Sequence, residues 1–200
     1  DMKSIKFIWL LIVLIFTSCA KDDLKLNKEK CYLVFRESDS KEGFFVKKFN
    51  LGNSKVTHVG FLIYNEMSWK VFHAINKNGN CIEQIEFDDF CDSGKRKLHL
   101  EFLEILDFNS KTKLVSKIDS IKKCNLKFDY SFSNTATKSI YCSRFVCKIL
   151  EATDSDKYHF DLREKKLNAI ESSFLNKERL LYYPVDIFLF DRRFKRIHIQ

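Results

Sequence analysis

Three residues of this sequence have the types that nucleophilic hydrolysis needs. Cys142 lies in SIYCSRFVCKIL, His58 in VTHVGFLIY and His73 in VFHAI. A thiolate that attacks a carbonyl carbon needs a base nearby, usually His, and a third group to orient that base. The apolar spacing around Cys142 predicts a helix over 139–151, with Cys142, Phe145, Val146, Ile149 and Leu150 on one stripe. Near the start of such a helix a cysteine meets a partial positive charge and unpaired backbone N–H groups. Both favour the thiolate, so a His-paired Cys142 is expected to react fast even below pH 7. The same N–H groups can hold an oxyanion. His58 and His73 lie on neighbouring predicted strands joined by a short turn at 65–68. Antiparallel pairing would set them side by side, with His73 bonding one ring nitrogen of His58 and leaving the other for Cys142. His99, His159 and His198 have no nucleophile near them in the pattern.

The elements that must position these residues follow from residue type. Strands are expected at 31–36, 56–64, 69–75, 81–87 and 98–106, where β-branched and aromatic residues concentrate. Asn78-Gly79 reads as a hairpin turn. A short helix is expected around 44–49. A longer one runs from the Ser110 cap to about 123, with Leu114, Val115, Ile118 and Ile121 on one face. After Pro184 come an apolar segment at 185–190 and a last strand at 194–199. Tight turns between successive strands argue for antiparallel pairing. The expected class is α+β, a twisted antiparallel sheet packed against helices.

Composition narrows the function classes. The chain has 200 residues, 45% of them hydrophobic, with 20 Phe against only 5 Gly and 1 Pro. That excludes wholesale disorder and collagen-like or low-complexity chains. A net charge of +8 comes from scattered lysines and arginines. With no arginine-rich tract and no base-reading motif, no nucleic-acid partner is expected. Attraction to anionic envelope polymers is an alternative explanation for such a charge.

The amino terminus reads as a targeting segment. Lys3 and Lys6 precede an apolar run through Phe16, too short for a comfortable membrane span, and Thr17, Ser18, Cys19 and Ala20 follow. This resembles a bacterial lipoprotein signal, which implies cleavage before Cys19 and a lipid on its sulfur. Residues 1–18 are then a signal peptide and 19–30 a lipid-anchored linker. Lys21-Asp22-Asp23 resembles a surface-export tag of some Bacteroidetes lipoproteins. The expected location is the cell envelope, with the membrane reached through the anchor at Cys19. Six further cysteines could pair in an oxidising compartment, but no known framework fits their spacing. No C-x2-C pair suggests zinc, and neither metal nor cofactor is expected.

The motifs together resemble a family. Thr57-His58-Val59-Gly60-Phe61 resembles the S/T-H-V-G-I strand of the NlpC-type cysteine hydrolases, and Val71-Phe72-His73-Ala74 the strand bearing their third polar residue. Tyr141-Cys142-Ser143-Arg144-Phe145-Val146 is similar to the Y-C-S-E-L-V segment of the circularly permuted, YiiX-like branch. Phe128-Asp129-Tyr130-x-Phe132 resembles that branch's Y-D-x-x-F stretch, and Tyr183-Pro184-Val185-Asp186 its closing x-P-x-D-L segment. Arg144 stands where the branch usually has Glu, and the Gly-Asp that usually opens its first strand is missing. The resemblance implies a permuted papain-like cysteine hydrolase domain over 31–200, with Cys142 as nucleophile, His58 as base and His73 as orienting residue. The substrate it implies is an amide, in a cell-wall peptide or an N-acyl amino acid. A lipid thioesterase or acyltransferase, or a surface-binding lipoprotein with a decayed site, are the alternatives.

Overall fold

A computed structural model describes residues 24–38, 40–76, 79–92, 99–108, 110–134 and 136–198. The expected signal peptide, Cys19 and Asn78 lie outside these residues. Five strands open the fold: β1 (Cys31–Arg36), β2 (His58–Asn65), β3 (Ser68–Ala74), β4 (Ile82–Glu86) and β5 (Leu100–Ile105). With β10 (Phe194–Ile197) they form one six-stranded sheet in the order β10-β5-β1-β2-β3-β4, every pair antiparallel. The antiparallel sheet is as expected. Its order is not sequential, because β5 returns to pair with β1 instead of β4.

β2 and β3 meet in a two-residue turn in which Glu66 and Met67 both have positive φ, at 49° and 67°. That is the backbone a tight hairpin requires, here without a glycine or asparagine. Strand β4 stops one residue short of the expected end, because Phe87 opens a short helix, α2 (Phe87–Cys91). Ahead of β2, helix α1 (Lys41–Phe49) starts at Ser40, whose side chain accepts from the Gly43 N–H. Helix α3 (Lys111–Lys123) begins at the expected Ser110 cap, which accepts from the Lys113 N–H.

Two layers of apolar side chains hold the sheet. On one face Leu33, Phe35, Val59, Phe61 and Ile63 are fully buried. Helix α4 (Cys142–Thr153) packs there through Phe145, whose ring meets Phe61 edge-on at 5.8 Å. On the other face Tyr32, Val34, Leu62, Trp69, Val71, Phe90 and Phe102 form a second cluster, flanked by Leu24, Leu26 and Phe87. Alternation along each strand makes this division: side chains two apart share a face.

The helix carrying Cys142 starts later than its apolar spacing predicts. Ser139 and Ile140 form a short strand, β7 (Ser139–Ile140), parallel to β6 (Lys127–Phe128). Their backbone groups bond across, not along, the chain, so Tyr141 is the N-cap and Cys142 the first helical residue. A charged hairpin, β8 (Arg163–Lys166) with β9 (Arg179–Tyr182), flanks helix α5 (Ala169–Leu175). Pro184 leads into a 3-10 turn over Val185–Phe190. Asp186, fully buried there, accepts from the N–H groups of Leu51 and Gly52 at 2.8 and 3.0 Å. It ties the end of the chain to the loop after α1.

Candidate active site

The pleat of β1, β2 and β3 places the histidines. Arg36 stands opposite His58, and Gly60 opposite His73, so all three side chains belong to the sheet face of Tyr32, Leu62 and Val71. His58 Nε2 lies 2.7 Å from His73 Nδ1, with the rings at 76°. Gly60 makes room for this. A Cβ there would meet the Phe72 carbonyl oxygen and Val71 at 2.9 Å, and the His73 Cβ at 3.0 Å. Phe90 from α2 backs the pair, its ring centroid 5.9 Å from that of His58 and 5.4 Å from that of His73.

Cys142 reaches the same place from the opposite layer. Cys142, His58 and Arg36 line one cavity of about 230 Å³ at the end of the sheet. The expected pairing of His58 with His73 is therefore present, with Cys142 in the same cavity. Among the described residues His58 bonds through its ring to His73 and not to the thiol. Hydrogen bonds between a catalytic base and its nucleophile are often long until substrate arrives. His99 lies 3.1 Å from Glu101, and His159 is exposed beside Asp161, so neither reaches the cavity.

Electrostatics correct one expectation. Burial pushes the Cys142 thiol up to about 11, although N–H groups of Val59, Ser143 and Cys142 itself and the Arg36 charge all pull the other way. Burial, then the neighbouring His73 and Arg36, hold His58 well below its ordinary 6.5. Both shifts point toward thiol and neutral imidazole rather than an ion pair. The helix start does favour the thiolate, as its sequence position suggests, but desolvation outweighs it.

Buried polar anchors hold the aromatic part of the cavity lining. Asp129 accepts from the Ser131 N–H, the Ser131 hydroxyl and the Ser133 N–H at 2.9, 2.7 and 3.0 Å. Phe128, Tyr130 and Phe132 around it line the cavity. Arg144, 4% exposed, donates to the carbonyls of Ser133, Ser139 and Asn134 at 3.1, 3.2 and 2.8 Å. It fixes the loop that leads into the Cys142 helix. Ser143 donates to the Tyr183 carbonyl at 2.6 Å, and the Tyr183 N–H donates to the Tyr141 hydroxyl at 2.9 Å. The helix start is thereby stapled to the segment before Pro184.

Sequence patterns single out neither Arg36 nor Phe90. The one signal for Arg36 is its place as the charged last residue of the apolar strand CYLVFR. It needs the β1–β2 register to become visible. The six cysteines between 31 and 147 are all free thiols, with Cys31, Cys81, Cys142 and Cys147 buried.

No family model and no curated protein matches the chain. Among solved structures it is similar to the crystal structure of metalloprotein yiiX from Escherichia coli O157:H7, described as DUF1105. The identity is 13% and the TM-score 0.65, over 86% of this chain and 97% of that one. That description concerns a metal. Among the described residues here, no group of three or more His, Cys, Asp or Glu is placed to hold one. His58 and His73 instead face each other across a hydrogen bond. The shared feature is the fold: this chain has a yiiX-like α+β architecture built on one antiparallel sheet.

Proposed function

We propose that the chain is a permuted papain-like cysteine hydrolase of the NlpC type that cleaves an amide bond. The observation that carries this reading is the 2.7 Å contact of His73 Nδ1 with Nε2 of His58, which lines the same cavity as Cys142. With His58 Nε2–H donating to His73, His58 Nδ1 keeps a lone pair. As the Cys142 sulfur attacks the carbonyl carbon, the thiol proton passes to His58 Nδ1. Backbone N–H groups at the start of α4 are the donors nearest the oxyanion that forms. The imidazolium then protonates the departing amine, the C–N bond breaks, and an acyl-thioester is left on Cys142. Water attacks this acyl group while His58 takes its proton. The carboxylic acid leaves, and the proton returns to the thiol.

The aromatic wall of Phe128, Tyr130 and Phe132 supports an apolar group on the acyl side. Product analysis with N-acyl amino acids, short cell-wall peptides and acyl thioesters tests the reading. Cleavage of the amides that Cys142→Ala and His58→Ala both abolish is expected. Turnover of thioesters alone would favour a thioesterase, and no turnover of any acyl donor would favour a binding protein.

We propose further that residues 1–18 direct export and that Cys19 carries a lipid anchor to the cell envelope. Among the described residues no helix is long and apolar enough to cross a membrane. A Cys19→Ala chain is expected to leave the membrane fraction. Its retention there would overturn the anchor.

A further inference from the structure

Arg36 is the last residue of β1 and lines the cavity together with Cys142 and His58. Its guanidinium lies over the Phe90 ring at 4.6 Å, and Nη1 donates to the Phe90 carbonyl at 2.8 Å. That bond uses one of the five N–H donors of the side chain. Several other part-buried cations of the fold have partners. Lys47 pairs with Glu37, Lys165 with Glu171 and Arg193 with Asp191, and Arg144 is bonded to three carbonyls. No carboxylate among the described residues pairs with Arg36. A half-buried guanidinium without a protein counter-ion is stabilised when a ligand brings the anion.

Resting on Cys142 as the nucleophile, we infer that Arg36 is the substrate-recognition residue of this cavity. The bond cleaved at Cys142 belongs to a molecule with a free carboxylate that pairs with the Arg36 guanidinium. An acylated amino acid or a peptide with a free C-terminus has this chemistry. The cavity carries one cation, and Glu42 also lines it. Arg36 can pair with one anionic charge, so a monoanion is paired there, whereas the second charge of a phosphate dianion would stand unpaired beside Glu42. The planar guanidinium also suits the two oxygens of a carboxylate. Ser38 and Ser40 add hydroxyl groups to the lining, and Phe128, Tyr130 and Phe132 add apolar surface for the rest of the molecule.

Two alkylating reagents of nearly equal size test this on the intact protein. Iodoacetate carries a carboxylate and iodoacetamide does not. Any change in the reactivity of the thiol itself affects both, so the ratio of their rates isolates anion recognition. Exposed Cys124 serves as the internal reference. The iodoacetate-to-iodoacetamide ratio at Cys142 should exceed that at Cys124 by about tenfold or more, the range for a hydrogen bond to a charged group. Arg36→Met should bring the ratio down to the Cys124 value, with Arg36→Lys between. In the unaltered protein, N-acetylalanine should protect Cys142 saturably against iodoacetamide, while N-acetylalanine amide and inorganic phosphate should not. Equal ratios at the two cysteines, a ratio unchanged in Arg36→Met, or equal protection by phosphate would overturn the inference. Failure of the hydrolase reading has a different signature. His58-dependent acylation of Cys142 would be absent while the Arg36-dependent ratio persisted.

Discussion

The two walls of the cavity are built by different physics. The wall that bears Arg36 and His58, with His73 buried behind His58, belongs to three adjacent strands of the central sheet, locked by backbone ladders and apolar packing on both faces. The aromatic wall, with Phe128 at the end of β6 and Tyr130 and Phe132 in the segment after it, is held by two buried polar residues, Asp129 and Arg144. The sheet wall spreads its stability over many weak contacts. The loop wall concentrates it in about half a dozen hydrogen bonds. The histidine geometry should therefore survive single surface changes, whereas the aromatic wall should be lost when one anchor is removed.

The packing beneath Cys142 offers the largest test of this contrast. Phe145 is fully buried between α4 and Phe61. Phe145→Ala should cost roughly 3–5 kcal/mol, as large-to-small changes of buried aromatics do. Urea unfolding should show one cooperative transition at a lower midpoint. An unchanged midpoint would mean that α4 is not seated on the sheet.

Removal of a loop anchor should have a smaller and more local effect. Arg144→Met leaves half-buried carbonyls of Ser133, Asn134 and Ser139 without their donor, at about 2–4 kcal/mol in all. Amide exchange should accelerate over 129–141 while β1–β3 stay protected. Uniform acceleration through the whole chain would contradict the division into two walls.

On the sheet side, Gly60→Ala forces a Cβ against Phe72, Val71 and His73. Overpacking of this kind costs about 1–3 kcal/mol. It should also separate His73 from His58, which the ring nitrogen NMR signals of the two histidines would report. Coupled signals that stay unchanged in the variant would show that the glycine is not what admits His73.

The hairpin turn between β2 and β3 should give the smallest effect, with the opposite sign. Glu66 and Met67 hold positive φ at a cost that Asn and Gly avoid. The double change Glu66→Asn, Met67→Gly should raise stability by about 1 kcal/mol and leave the site untouched. Thermal unfolding measures the gain, and a lower midpoint would contradict the turn geometry.

The same contrast explains what was legible in the sequence. Strands β1, β2, β3 and β5, helix α3 and the antiparallel class follow from apolar runs, a serine cap and short turns. His58 beside His73 follows from two strands and a tight turn. The start of α4 was not legible, because Ser139 resembles a cap in isolation and is drawn into β7 only by Lys127 and Phe128. The β8–β9 hairpin was missed since Arg163–Lys166 is all charged and carries no apolar alternation. Arg144 appeared as a departure from a motif and proves to be a structural anchor. The resting protonation of Cys142 could not be read from spacing, because it depends on how deeply the helix start is buried.

The central claim is that Cys142 and His58, oriented by His73, act as one reactive unit. Pre-steady-state acylation of Cys142 by p-nitrophenyl acetate across pH 4–10, located by mass of the labelled peptide, tests it most directly. His58 is held below 6.5 and Cys142 up at about 11, so both are neutral between those limits. His58 accepts a proton only while neutral, so its contribution is present at and above pH 6.5 and disappears as pH falls through its lowered value. The account predicts a broad plateau over the neutral range with an acid limb below 6.5. It also predicts loss of the plateau in His58→Ala and a lower plateau in His73→Ala. Acylation of Cys142 that merely follows its own thiolate upward with pH, at the same rate with and without His58, would contradict it.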